Sequence, residues 1–209
     1  MSLDLNRYLE SFMKEGSALC RKIDLNAIRR AVLILDEARR NDKMVFLIGN
    51  GGSAGTASHL SADLEKWASA GIDKYRMRTK CLTDNISQIT ALFNDMPKDE
   101  LFVEQLKTHF RKGDVVIGIS VHGGKGMDKG NIAWSQNLTK ALAYANDNGG
   151  KTIGMTGFDG GAMKNLCTVN INLPVDSTPL VEGFHVVVHH AIVDALNKIA
   201  TEGKEFYRA

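Results

Sequence analysis

Three of the six histidines fall within six residues, in the stretch Glu182-Gly183-Phe184-His185-Val186-Val187-Val188-His189-His190. On a helix, Glu182, His185 and His189 stand three and four apart and share a face, and His190, eight after Glu182, returns near it. His59 and Asp63 form a second pair at i, i+4 spacing. Imidazole titrates near neutral pH and binds metals through nitrogen, while a carboxylate supplies oxygen donors. Such groups brought together from two helices suit acid/base catalysis or a mixed nitrogen and oxygen metal site. Taken singly, each has a plainer reading, as a satisfied core histidine or an ion pair on a helix surface. Only a fold that joins the two helices makes a site of them.

Two further stretches could hold an anion. Gly49-Asn50-Gly51-Gly52-Ser53 follows the apolar run Met44 to Ile48 and precedes a helical pattern containing Ala57, His59, Leu60 and Leu64. A strand, a glycine turn and a helix N-terminus with a hydroxyl at its cap make a phosphate cradle, because backbone N–H groups and the helix dipole favour negative charge there. The stretch is neither GxGxxG nor a Walker loop, so a tight turn without ligand is the competing reading. Ile119-Ser120-Val121-His122-Gly123-Gly124 follows the run Val115 to Ile119 and continues through Lys125 and Lys129 to Ser135-Gln136-Asn137. Its hydroxyls at Ser120 and Ser135 can donate to an anion and its lysines can add charge, or the loop is a solvated insertion.

The elements that must position these groups follow from hydrophobic periodicity. Leu3 to Cys20 reads as an amphipathic helix, and Asp24 as the N-cap of a second running to about Asn41. Five short apolar runs follow: Met44 to Ile48, the more polar Tyr75 to Leu82, Val115 to Ile119, Thr152 to Met155 and Val169 to Leu173. Each is followed by a helical segment, and the last long helix is expected from about Pro179 to about Ala200. Strands alternating with helices predict a parallel sheet covered on both faces. Thirteen of the 20 glycines lie in Gly49 to Gly55, Gly118 to Gly130 and Gly154 to Gly161. Each stretch begins in or just after an expected strand, so all three are expected at the carboxyl edge of the sheet, where open α/β sheets bind ligands.

The 209 residues are 44% hydrophobic and 24% charged, which suits one globular domain with a full core and excludes disorder. A formal charge of +2 gives no footprint for nucleic acid. With no long apolar run and no signal-peptide core near the first residues, a soluble intracellular protein is expected, without membrane contact. Cys20, Cys81 and Cys167 are widely spaced and odd in number, which predicts reduced core cysteines and neither a disulfide framework nor a thiolate zinc site.

These pieces in this order resemble the sugar isomerase (SIS) domain family, and within it the sedoheptulose 7-phosphate isomerases. GNGGS followed by His59, Gly118 to Ser120, Thr156 to Gly161 and the Glu/His helix carry the resemblance, which covers nearly the whole chain. It implies a single SIS domain over 1–209 with a helical extension over about 1–41. The fold implied is a three-layer α/β/α sandwich with a five-stranded, flavodoxin-like parallel sheet. The activity implied is isomerisation of sedoheptulose 7-phosphate to D-glycero-D-manno-heptose 7-phosphate through an enediol, opening heptose synthesis for surface polysaccharide. Asp63 and His190 map to the catalytic acid/base positions. His59, Asp63, Glu182 and His190 map to a divalent metal site, commonly zinc, one per subunit. Asn50, Gly51, Gly52, Ser53, Ser120, His122 and Ser135 map to the phosphate contacts. A cytoplasmic homotetramer with sites shared between chains is implied as well.

The sequence also departs from the family. An aspartate stands at 63 where the family has glutamate, and Glu182 where it has glutamine, which makes the metal set more anionic. His122 replaces a serine that usually meets phosphate, and about ten residues interrupt the serine loop. Pro179 replaces an acidic residue, with Asp176 nearby as a substitute. A histidine bound to metal through one nitrogen is not a base through that nitrogen, so His190 and Asp63 serve as ligands or as proton shuttles. Two rival functions remain: a non-catalytic phosphosugar-binding or replication-initiator-binding protein, and an isomerase of a different phosphosugar. The first would need the phosphate loop but not the Asp63, Glu182 and His190 cluster.

Overall fold

The first strand, β1 (Met44–Gly49), shows how the chain divides its core. Val45, Phe46, Leu47 and Ile48 are all fully buried, and their side chains alternate between the two faces of the sheet. Val45 and Leu47 enter one apolar cluster, Phe46 and Ile48 the other. Burying each such side chain contributes about 1.5–3 kcal/mol. A strand apolar on both faces can only sit between layers of helices, as the sequence predicts.

The computed structural model describes residues 4–124 and 135–203. Lys125 and Lys129 fall outside the described residues. Four more strands complete the sheet: β2 (Arg78–Cys81), β3 (Val115–Ser120), β4 (Lys151–Gly157) and β5 (Val169–Leu173). Every pairing is parallel and the order is β2-β1-β3-β4-β5. The helices are α1 (Leu5–Leu19), α2 (Leu25–Arg40), α3 (Gly52–Lys66), α4 (Ile86–Asp95), α5 (Leu101–His109), α6 (Gln136–Asp147), the short α7 (Met163–Leu166) and α8 (Thr178–Glu202). α2, α3 and α8 supply the cluster on one face of the sheet; α5 and α6 supply the other. The result is the expected three-layer α/β/α sandwich, with two helices ahead of the first strand.

Boundaries differ where local chemistry intervenes. The second strand was expected from Tyr75, but Tyr75 adopts φ 58° and leaves extended structure. Arg76 then donates to the carbonyls of Ser69, Ile72 and Glu65, tying the approach to the loop below, so pairing begins only at Arg78. Asp24 caps α2 as expected, its carboxylate accepting from the Asn26 N–H at 2.9 Å. The cap of α3 does not carry the expected hydroxyl. Gly51 occupies it at φ 55°, and Ser53 is a buried residue of the first turn. All three cysteines are free, but Cys20 is exposed where a core position was expected. Burial pushes the Cys167 thiol up to about 12.

The sheet order positions the site. β1, β3 and β4 are neighbours, so the three glycine-rich segments that follow them emerge side by side. α3 and α8 pack against each other on one face, which brings together the two helices that carry the histidines.

Candidate active site

α8 buries a stripe of Leu180, Val181, His185, Val188, His189, Ile192, Val193, Leu196 and Ile199. The three and four spacing of that stripe points His185 and His189 into the protein, while His190 falls at its rim. His59 and Asp63 stand one turn apart on α3. Where the helices meet, three imidazoles converge on one carboxylate oxygen. Asp63 Oδ2 lies 3.3 Å from His59 Nε2, 3.3 Å from His189 Nε2 and 3.4 Å from His190 Nδ1. The rings pack edge-on or tilted, with centroids 4.6 Å apart for His59 and His189, 5.1 Å for His59 and His190 and 4.1 Å for His189 and His190.

Burial differs sharply within this group. The His189 side chain is 0% exposed, Asp63 is largely covered, and His59 and His190 are about half exposed. Burial is the main cause that pushes the His189 pKa down to about 4, with the neighbouring His190 and His59 adding to it and Asp63 opposing. Burial likewise pushes His185 to about 4, against a smaller pull from the Thr156 backbone. Both rings are therefore neutral at pH 7. The four donors of His59, Asp63, His189 and His190 all lie within 4.8 Å of one another, close enough to hold one metal ion. Three imidazoles and a carboxylate form a donor set that suits a divalent transition metal.

Glu182 stands apart from this group. Its carboxylate lies against the backbone of Gly52, so close that a Cβ at that position would meet Oε1 at 2.9 Å. There it lines a cavity of about 200 Å³ together with Asn50, Ser53, Ser120, His122 and Ser135. Of the residues expected to hold phosphate, these five line the cavity; Gly51 and Gly52 form the exposed turn at the start of α3. Ser120 Oγ donates to Ser135 Oγ at 3.3 Å and accepts from the Gly123 N–H at 3.1 Å. Asn94 and Asp95 pair with each other at the end of α4 and are not among the lining residues.

The loops are locked together by contacts that spacing alone does not show. Asn50 and Asn137 exchange two amide hydrogen bonds, at 3.0 and 2.9 Å, joining the first glycine turn to the start of α6. The His122 ring packs against Phe158 at a tilt of 45°, with centroids 4.4 Å apart. The Gly123 and Gly161 backbones touch so closely that a Cβ on Gly161 would meet the His122 carbonyl oxygen at 2.3 Å. The second and third glycine segments thus form one surface. Asn137 and Phe158 had no expected role; the signal for Asn137 was its place two residues after Ser135, at the start of α6. The signal for His189 was its i, i+4 step from His185.

The cavity and the histidine cluster lie along the same two helices. Ser53 precedes His59 by six residues on α3, about 9 Å along the axis. A ligand with an anionic end and a reacting end separated by a short carbon chain fits that arrangement.

Comparison with known proteins agrees with this layout. The sequence profile of the SIS domain matches residues 11–157. The phosphoheptose isomerase of Aliarcobacter butzleri is 32% identical over 196 residues, 90% of this chain and 95% of that protein. The lincomycin biosynthesis protein LmbN of Streptomyces lincolnensis is 41% identical over 148 residues, covering 69% of this chain and 52% of that longer protein. The structure of phosphoheptose isomerase GmhA from Neisseria gonorrhoeae superposes with a TM-score of 0.80 at 26% identity, covering 93% of this chain and 99% of that one. The chain belongs to the SIS domain family, in which it groups with the phosphoheptose isomerases.

Proposed function

We propose that this chain isomerises sedoheptulose 7-phosphate to D-glycero-D-manno-heptose 7-phosphate, the opening step of heptose synthesis for surface polysaccharide. The observation that carries this reading is the convergence of His59, Asp63 and His190 on the same two helices whose first turns border the hydroxyl-lined cavity. The phosphate is assigned to that cavity. Asn50, Ser53, Ser120, His122 and Ser135 supply hydroxyl, amide and imidazole contacts, and the exposed turn at Gly51 and Gly52 places the N-terminal end of α3 beside them. Anchoring the anionic tail there directs the carbonyl end of the sugar toward Asp63 and His190 and makes proton transfer effectively intramolecular.

Isomerisation requires a base to take the proton from the carbon next to the carbonyl and an acid to return one to its neighbour. His190 faces Asp63 through Nδ1 and is about half exposed, so Nε2 is its outward nitrogen. With Nδ1–H donated to Asp63, Nε2 carries the lone pair and accepts a proton. Once Nε2 has accepted, the ring is an imidazolium held by Asp63, and the same Nε2–H returns a proton to the neighbouring carbon, so one ring serves both ends of the transfer. Asp63, shared by three imidazoles, fixes their orientation and is the second acid/base group.

A divalent metal, zinc, at one per subunit, is part of the proposal. His59, Asp63 and His190 would hold it, with Glu182 added if its carboxylate turns from Gly52 toward the cluster. Bound there, it would supply a Lewis acid for the developing oxyanion. A homotetramer is proposed on the apolar residues that α1 leaves exposed, Leu5, Tyr8, Leu9 and Met13. Among the described residues, no helix is long and apolar enough to cross a membrane. A cytoplasmic location is proposed because the substrate is a phosphorylated metabolite.

Incubating purified protein with sedoheptulose 7-phosphate, with and without chelator, tests the reading: the aldose phosphate is expected to form. No turnover under any metal condition would sink it. A second reading, the same chemistry on a different phosphosugar, is favoured by the 41% identity to a lincomycin biosynthesis protein and by His122 within the cavity wall. Turnover of another ketose phosphate in preference to sedoheptulose 7-phosphate would select it.

A further inference from the structure

His189 is a buried polar side chain on α8. Its side chain is fully buried, and neither ring nitrogen meets a hydrogen-bond partner among the described residues. Nε2 approaches Asp63 Oδ2 to 3.3 Å, inside ion-pair distance but without hydrogen-bond geometry. Buried imidazole nitrogens are ordinarily paired, and an orphan in a native core calls for an explanation. The surroundings offer one: both neighbouring rings and the Asp63 carboxylate present donor atoms to the same small volume. Glu182 does not. Its carboxylate sits at the anion cavity, against Gly52.

We propose that His189 is the fourth protein donor to the divalent metal, giving a set of His59, Asp63, His189 and His190, and that Glu182 stays with the substrate cavity. The inference rests on the metal being part of the isomerase reading above. Its physical basis is that a cation satisfies an imidazole lone pair that the protein leaves orphaned. A fourth protein donor adds to the hold on the ion, and zinc can expand to five ligands, so a substrate oxygen would still have a place on it. The metal in this chain would accordingly be retained more firmly than one held by three residues. The Glu182 carboxylate, no longer a ligand, would then border the bound phosphosugar directly.

The direct test counts ligands in the wild-type chain. Chelator-treated full-length protein labelled with nitrogen-15 at histidine is titrated with Zn²⁺, and the ring nitrogens are followed by NMR, with assignments from single His→Gln variants. Three imidazoles, those of His59, His189 and His190, are expected to shift together at one equivalent. A shift of only His59 and His190 would overturn the assignment. In parallel, Zn²⁺ affinity is measured by competition with a chelating dye. His189→Leu and His189→Gln are each expected to bind at least about tenfold more weakly, a loss on the scale of removing a metal-site partner, and Glu182→Gln within about twofold of wild type. The reverse ranking would hand the fourth position to Glu182. Absence of any Zn²⁺ binding by wild type would also overturn the inference, and turnover of sedoheptulose 7-phosphate by the chelated enzyme in that event would leave the isomerase reading standing.

Discussion

The two ends of the site are built in opposite ways. The proposed reacting end is carried by side chains on two long helices, at positions fixed by helical periodicity and clamped by the core stripe of α8. The proposed anion-binding end is assembled from loop segments after β1 and β3, held by the Asn50–Asn137 amide pair, the Ser120 hydroxyl and the contact of Gly123 with Gly161. A helix places a proton-transferring group with little freedom, which suits chemistry that fails on small displacements. Loops bring backbone and hydroxyl groups around an anion from several directions, which suits binding and allows the substrate to change without rebuilding the core. The residues follow the same division: His59, Asp63, His189 and His190 sit on α3 and α8, while His122 sits in the loop wall of the cavity.

Substitutions can break this contrast from either side. The largest effect is expected from Asp63→Asn, which removes the charge shared by three imidazoles: kcat should fall about 10²–10⁴-fold, the range for a lost acid/base group, with the thermal midpoint moving little. A kcat within threefold of wild type would detach the helix cluster from the chemistry. Next in size is an acid limb of stability. The folded pKa of His185, about 4, lies below the ordinary 6.5, so the unfolded chain binds the proton more readily between those values. Stability from this group is complete above pH 6.5 and falls toward pH 4, by about 1.4 kcal/mol per pH unit. Urea unfolding of metal-free protein across that window should show the slope, and His185→Leu should lower it by this share while that of His189 stays. An unchanged slope in that variant would mean the ring is not held neutral.

The loop end should respond in binding. Asn50→Ala and Ser120→Ala each remove a contact that shapes the cavity, and KM is expected to rise about tenfold, equivalent to about 1.4 kcal/mol, with kcat changed far less. A fall in kcat with KM untouched would place these residues in the chemistry instead. The smallest effect belongs to Gly52→Ala. The added methyl meets the far end of the flexible Glu182 side chain, which can turn away, so unfolding free energy should drop by under about 1 kcal/mol, within the range of ordinary surface changes. A larger loss would show that the glutamate is fixed against the turn.

The contrast also explains what could be read from the chain before its structure. Apolar spacing of three and four located α1, α2 and α8, and short continuous apolar runs located strands such as β1 and β3, which are buried on both faces; the i, i+4 pair His59 and Asp63 survived into the site because one helix carries both. The strand order could not be read, since nothing local says that β3 inserts between β1 and β4. Glu182 and His189 illustrate the limit most clearly. Both sit on the same helix, and spacing put both on the face of His185; the packing of α3 against α8 sends His189 to Asp63 and Glu182 to Gly52. Ser53 was read as a cap because a hydroxyl there is common, but Gly51 adopts a left-handed conformation and takes the cap itself, which buries the serine. The Asn50–Asn137 pair spans 87 positions and has no local signature.

The central claim is that the α3/α8 cluster moves a proton on a phosphosugar anchored at the glycine loops. The most direct measurement runs the reaction in D₂O with sedoheptulose 7-phosphate and reads the product by NMR. The expected result is conversion to the aldose phosphate with solvent deuterium on the carbon next to the aldehyde, abolished in Asp63→Asn. Undiminished conversion by Asp63→Asn would contradict it.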